Sequence, residues 1–170
     1  MKARGHSLWL MPSGGIYERM YELIQGLSRE YEGPLFEPHV TLLGEVMFSE
    51  EDIIRKTKQL LDRQHPFPIT LTSIDYQEFY FRSLFVKVKK IPELLTLQTR
   101  AKEIFAMQDK LSYMPHFSLL YGNFPKKVKS QIVEILGVNQ DLKFVVDRVN
   151  LYKTDGEAST WHRVKEFPLI

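Results

Sequence analysis

The sequence predicts an α+β chain of two fused lobes, with antiparallel or mixed sheets around a central cleft and helices outside. Three observations predict it. The elements run strand, helix, strand, helix, strand, and then the same order follows again. The spacing repeats too: 31 residues separate Leu8 from His39 and 31 separate Phe85 from His116, so the pattern recurs at 77 residues. That period is too long for a solenoid and suits a duplicated half-domain. Short hairpin-like runs among the helices argue against a doubly wound parallel sheet. Residues 1–170 are therefore expected to form a single bilobal domain, with equivalent strands brought side by side by a pseudo-twofold axis.

Each element has a local reason. Ser7 to Met11 is a short apolar strand. Ile16, Met20, Leu23, Ile24, Leu27 and Tyr31 recur at helical spacing, and Gly33-Pro34 ends that helix. Pro38 to Leu43 is the second strand. Ser49 with Asp52 three residues on forms a capping box for a helix carrying Ile53, Ile54, Thr57, Leu60 and Leu61, which stops near His65-Pro66. Alternation in Phe67 to Tyr76 and Phe79 to Lys89 predicts a hairpin. Pro92 opens a helix where its missing N–H costs nothing, with Leu94, Leu97, Ala101, Ile104 and Phe105 inward. A strand follows at Pro115 to Tyr121. Lys126 to Leu136 is a helix closed by Gly137, and Leu142 to Thr154 and Thr160 to Phe167 are the two closing strands.

Composition narrows the function classes. The chain has 170 residues, with 44% apolar and 26% charged, enough to bury a real core. It has no Cys, which removes disulfides, thiolate catalysis and Cys-ligated metal sites, and suits a reducing compartment. The apolar run Leu8 to Met11 is too short for a signal-peptide core or a membrane span, so a cytoplasmic protein without membrane partners is expected. A net charge of +2 is not the footprint of a protein that tracks long nucleic acid, whereas a small anionic ligand stays open.

The same phrase stands at the same place in each half. Phe36-Glu37-Pro38-His39-Val40-Thr41-Leu42-Leu43-Gly44 is matched by Tyr113-Met114-Pro115-His116-Phe117-Ser118-Leu119-Leu120-Tyr121-Gly122. With five histidines and 18 Ser plus Thr, chance alone gives about 0.5 His-x-(Ser/Thr) matches. The shared Pro and Leu-Leu at equivalent repeat positions make the signal strong. Strand alternation points His39 and Thr41 the same way, and likewise His116 and Ser118. Two imidazoles and two hydroxyls facing one volume suit phosphodiester hydrolysis. One imidazole takes a proton from water, the other protonates the departing oxygen, and the hydroxyls of Thr41 and Ser118 steady the charge on a five-coordinate phosphorus. This chemistry requires no metal or other cofactor. A zinc pair would need a third ligand, for which only Glu37 is near in sequence.

These motifs resemble those of the two-histidine phosphoesterases, and most closely the plant and yeast type cyclic nucleotide phosphodiesterases. Weaker similarity at Leu8-Trp9, through Phe79 to Val88 and at Lys153-Thr154-Asp155 extends the resemblance over most of the chain. It implies a bilobal fold with both motifs lining one cleft. It implies hydrolysis of nucleoside 2′,3′-cyclic phosphates to 2′-phosphates, and of ADP-ribose 1″,2″-cyclic phosphate to ADP-ribose 1″-phosphate. It also implies His116 as base and His39 as acid, roles that the near symmetry of the motif could exchange, and Trp9 and Tyr121 as residues flanking the nucleoside. Tyr121, five residues from His116, reaches the cleft only if the strand bulges or ends near Gly122. A monomer acting on small cyclic nucleotides is expected. An enzyme acting on RNA ends and a nucleotide-binding module without turnover remain as alternatives.

Other features have plainer expectations. Ser13-Gly14-Gly15 is expected to be a capped turn rather than a phosphate cradle, and Tyr76, Phe79, Tyr80 and Phe81 to be hairpin core. Lys126, Lys127 and Lys129 are expected on a solvated helix face, and Lys153 on the surface. His6, His65 and His162 lack a following hydroxyl and are assigned no chemistry.

Overall fold

A computed structural model describes residues 1–108 and 112–170. The elements are β1 (His6–Leu10), α1 (Gly14–Glu30), β2 (Val40–Val46), α2 (Glu50–Leu61), β3 (Phe67–Tyr76), β4 (Leu84–Val88), α3 (Pro92–Ile104), β5 (His116–Leu120), α4 (Lys126–Leu136), β6 (Asn139–Val146), β7 (Arg148–Lys153) and β8 (His162–Pro168). The helices start and stop for the expected reasons. Ser49 accepts a hydrogen bond from the Asp52 N–H at 3.2 Å, and Pro92 sits in the first turn of α3. Ser13 has the backbone of an N-cap, but its hydroxyl makes no cap bond to α1.

Two boundaries differ from expectation. The predicted strand Leu142 to Thr154 is two strands, β6 and β7, with Asp147 at the corner, where its carboxylate pairs with Arg148 at 2.8 Å. The predicted strand from Phe79 begins only at Leu84, because Tyr80–Arg82 is a single 3₁₀ turn. Tyr76, Tyr80 and Phe81 pack against the core as expected, whereas Phe79 is exposed, with the Arg82 guanidinium over its ring.

Among the described residues the strands pair throughout as antiparallel neighbours, in the order β6-β3-β4-β5-β2-β1-β7-β8. The two expected sheets are thus four-stranded halves of one, joined where β2 meets β5 through the single registered pair Val40 and Phe117. The duplication is visible in this order with one exchange. The last strand of the first repeat, β3, pairs with β4, and β7, which follows β6 in the second repeat, pairs with β1. Helices cross over in the same way, α1 packing on β5 and α3 on β2. Each motif strand is therefore backed by the helix of the other half.

Val40, Leu42, Phe117 and Leu119 are fully buried in the main core. Alternation then turns His39, Thr41, His116 and Ser118 to the opposite face of the sheet. Lys126 and Lys127 are exposed as expected, but Lys129 is not. It is 1% exposed, donating to the Gln77 carbonyl at 2.9 Å and to the Glu78 carboxylate at 3.0 Å. Burying an ammonium demands such partners, and they tie α4 to the turn after β3. Among the described residues no helix is long and apolar enough to cross a membrane.

Two glycines permit close approach beside β5. A Cβ on Gly33 would lie 2.8 Å from Leu120 Cδ1, and one on Gly122, at φ +146°, would lie 2.3 Å from the Phe124 ring. Gly122 ends the strand and donates its N–H to the Tyr80 carbonyl at 3.0 Å. Gly122→Ala is expected to lower unfolding stability by about 1–3 kcal/mol through strain at that φ and contact with the ring, read from urea or thermal melts. An unchanged midpoint would contradict this account of the turn.

Candidate active site

The antiparallel pair Val40–Phe117 fixes the register of the two motifs. Counting outward from it, His39 stands opposite Ser118 and Thr41 opposite His116. Each imidazole is therefore beside the hydroxyl of the other half, with cross-strand Cβ separations of about 4.5–5.5 Å. The two histidines are diagonal neighbours, about 7–8 Å apart at the backbone, close enough for one phosphate to lie between their rings.

Both rings are oriented alike. His39 Nδ1–H donates to the Glu37 carbonyl at 2.6 Å, and His116 Nδ1–H donates to the Met114 carbonyl at 2.9 Å. A carbonyl can only accept, so the Nδ1 proton is fixed and the lone pair of each neutral ring is on Nε2. Among the described residues neither Nε2 has a hydrogen-bond partner. The Pro before each histidine holds the preceding residue extended, placing its carbonyl within reach of the ring.

Burial sets the charge state. It pushes His39 down to about 3, against the hydrogen bond to Glu37, and the nearby His116 lowers it further. Burial also lowers His116, and the Arg82 guanidinium adds to the effect. Both imidazoles are neutral in the empty site at pH 7, poised to accept protons.

His116 and Thr41 line a cleft of about 490 Å³ with Arg82, Gln98, Tyr113 and Met114. Tyr113 donates its hydroxyl to the Thr41 carbonyl at 2.9 Å, bracing one motif against the other strand. Ser118 donates to the Phe81 carbonyl at 3.4 Å, a long bond that an incoming phosphate oxygen can replace.

Trp9 lies between His39 and Tyr152. Its ring stacks on His39 at 3.6 Å between centroids and on Tyr152 at 3.9 Å, which requires opposite faces. With both faces covered and 2% of its surface exposed, Trp9 offers no ring face to a nucleoside in this structure, because it packs against the imidazole itself. Tyr121 is turned back by the strand end at Leu120 and Gly122. Its ring stacks on Phe36 at 3.8 Å and meets Phe81 and Trp161 edge-on, so it too is enclosed, at 4% exposure.

Several residues at the site were not singled out from sequence. Trp161 is half-buried against Trp9, Phe81 and Tyr121, and lines an aromatic hollow of about 300 Å³ with Trp9, Phe36 and Tyr21. Arg82 and Tyr113 reach the cleft beside His116, and Tyr152 reaches Trp9 and Glu37, through tertiary pairing. Tyr113 had a signal, as the hydroxyl-bearing counterpart of Phe36 in the doubled phrase. Glu37, the one neighbouring candidate for a third metal ligand, instead accepts the Tyr152 hydroxyl at 2.5 Å. Among the described residues no cluster of three or more His, Cys, Asp or Glu could hold a metal ion.

Comparison with known proteins gives the family. The family described as "Cyclic phosphodiesterase-like protein" matches residues 4–169. A cyclic phosphodiesterase of Arabidopsis thaliana is 28% identical over 166 residues, covering 94% of this chain and 92% of that protein. A 2′,3′-cyclic-nucleotide 3′-phosphodiesterase of Yarrowia lipolytica is 27% identical over 140 residues, 75% of this chain and 63% of that protein. Among solved structures, E. coli LigT complexed with 3′-AMP superposes with a TM-score of 0.68 at 16% identity, covering 99% of both chains. A Thermus thermophilus protein superposes at 0.67 and 16%, covering 97% of both. Those structures share the fold. With the family match spanning nearly the whole chain and the paired motifs in register, this protein belongs to the cyclic phosphodiesterase-like family of two-histidine phosphoesterases and is a phosphodiesterase.

Proposed function

We propose that this enzyme hydrolyses nucleoside 2′,3′-cyclic phosphates to 2′-phosphates, and ADP-ribose 1″,2″-cyclic phosphate to ADP-ribose 1″-phosphate, without a metal ion. One observation carries the proposal: the register that sets His39 opposite Ser118 and Thr41 opposite His116, with both rings held through Nδ1. The names of the plant and yeast relatives support the substrate class.

The roles of the two histidines are those the family resemblance implies. His116 Nε2 takes a proton from water as its oxygen attacks phosphorus. His39 Nε2–H gives a proton to the departing ribose oxygen, and the P–O bond of the ring opens. Thr41 and Ser118 donate to the nonbridging oxygens as negative charge builds there. Because His39 is neutral in the empty site, its proton enters with the substrate, whose anionic phosphodiester favours an imidazolium beside it. The 2′-phosphate product places the departing oxygen at the 3′ carbon, facing His39.

Turnover of 2′,3′-cyclic AMP is expected to persist in excess EDTA and to yield 2′-AMP, with His39→Ala and His116→Ala each losing on the order of 10²- to 10⁴-fold in kcat. Inactivation by the chelator, 3′-AMP as product or a fully active single variant would overturn the scheme.

The depressed imidazoles predict an acid-shifted profile. kcat/KM reports the free enzyme, so both limbs of its bell are expected below the ordinary histidine value of 6.5. kcat reports the complex, where the substrate's negative charge raises both groups, so its optimum is expected at higher pH. Superimposable profiles, or a kcat optimum displaced to lower pH, would contradict the burial argument.

A further inference from the structure

We infer that Glu37, Tyr152 and Trp9 form a clamp that fixes the His39 imidazole for proton transfer, with Glu37 and Tyr152 as positioning residues. The inference rests on the reading that His39 moves a proton in the reaction.

The contacts close a ring. Glu37 accepts the His39 Nδ1–H through its main-chain carbonyl at 2.6 Å, and through its carboxylate it accepts the Tyr152 hydroxyl at 2.5 Å. Burial, together with the same carboxylate, holds the Tyr17 hydroxyl above its ordinary value. Tyr152 then stacks on Trp9, and Trp9 stacks on His39 with the two rings within 7° of parallel. Carbonyl and ring plane are thus held by one residue set: the carboxylate anchors the peptide that orients Nδ1, and the stack fixes the ring's tilt. Outer partners of this kind orient a histidine without touching the reacting atoms.

Among the described residues the second half has nothing equivalent. Seventy-seven residues from Glu37, Trp9 and Tyr152 stand Met114, Val86 and Asp75. Asp75 pairs with Lys87 at 2.7 Å, and His116 meets the edge of Phe85 at 5.3 Å beside its carbonyl bond. The duplicated histidines are therefore held differently, with His39 braced on its ring face and behind its Nδ1. A fixed donor suits the leaving oxygen, whose position is set by the closed ring of the substrate, since misplacement at a reacting centre is costly.

The test compares Tyr152→Phe, Glu37→Ala and Glu37→Gln in the full chain. Turnover of 2′,3′-cyclic AMP and ¹⁵N NMR of the His39 ring in the free protein are the two readouts. Tyr152→Phe keeps the stack and loses the hydroxyl, and is expected to lower kcat about tenfold with KM within about twofold. Glu37→Ala is expected to do the same, whereas Glu37→Gln, whose amide oxygen still accepts the hydroxyl, restores kcat to within about twofold of the parent. In the two impaired variants a share of His39 is expected to move to the Nε2–H tautomer. Unchanged kcat in Tyr152→Phe, equal loss in Glu37→Gln and Glu37→Ala, or an undisturbed tautomer in the impaired variants would overturn the clamp. If the parent fails to turn over the nucleotide, the proposed function falls, and the NMR readout alone decides whether His39 is clamped.

Discussion

The antiparallel join of β2 to β5 is the constraint on which the site depends. It is narrow, a single registered pair between two four-stranded halves, yet it determines which groups can act together. Slipping that register by one residue would turn one motif into the helix-packed core. The fully buried Val40 and Phe117 resist this slip, since moving either toward the cleft exposes a large apolar surface. Helices α1 and α3, each packed on the motif strand of the other half, hold the join from behind. Core packing and active-site geometry are thus two faces of the same two strands.

The face that carries the chemistry is dry enough to change its acid–base behaviour. Burial outweighs the carbonyl bonds that favour imidazolium, so both rings wait uncharged. In the proposed reaction a phosphodiester supplies the missing charge, so that the active protonation state forms when ligand and site meet, a coupling that would favour anions in a protein whose overall charge is only +2. The Tyr113 hydroxyl on the Thr41 carbonyl ties the segment before β5 to β2 beside the paired motifs.

Much of this was legible in the residues alone. The repeat at 77 residues, the doubled phrase and strand alternation together gave the two lobes, the α+β class and the side shared by His39, Thr41, His116 and Ser118. What was not legible depends on long-range pairing. That β3 and β7 exchange halves is a matter of sheet order, which local periodicity does not encode. The Trp9 stack depends on Tyr152, brought beside it by the β1–β7 ladder, in which Trp9 lies opposite Asn150. Lys129 looked like one of three solvated lysines because helix spacing does not reveal that Gln77 and Glu78 turn back over it. The difference between Glu37 and Met114 was visible in the aligned halves, but its meaning required the tyrosine partners.

The most direct measurement follows both imidazole Nε2 resonances by ¹⁵N NMR while orthovanadate with a nucleoside is titrated into the protein. The account predicts that the His39 and His116 signals shift together, with one midpoint, as a single pentavalent oxyanion binds between them. Movement of one ring alone, or two midpoints set by separate binding events, would contradict it.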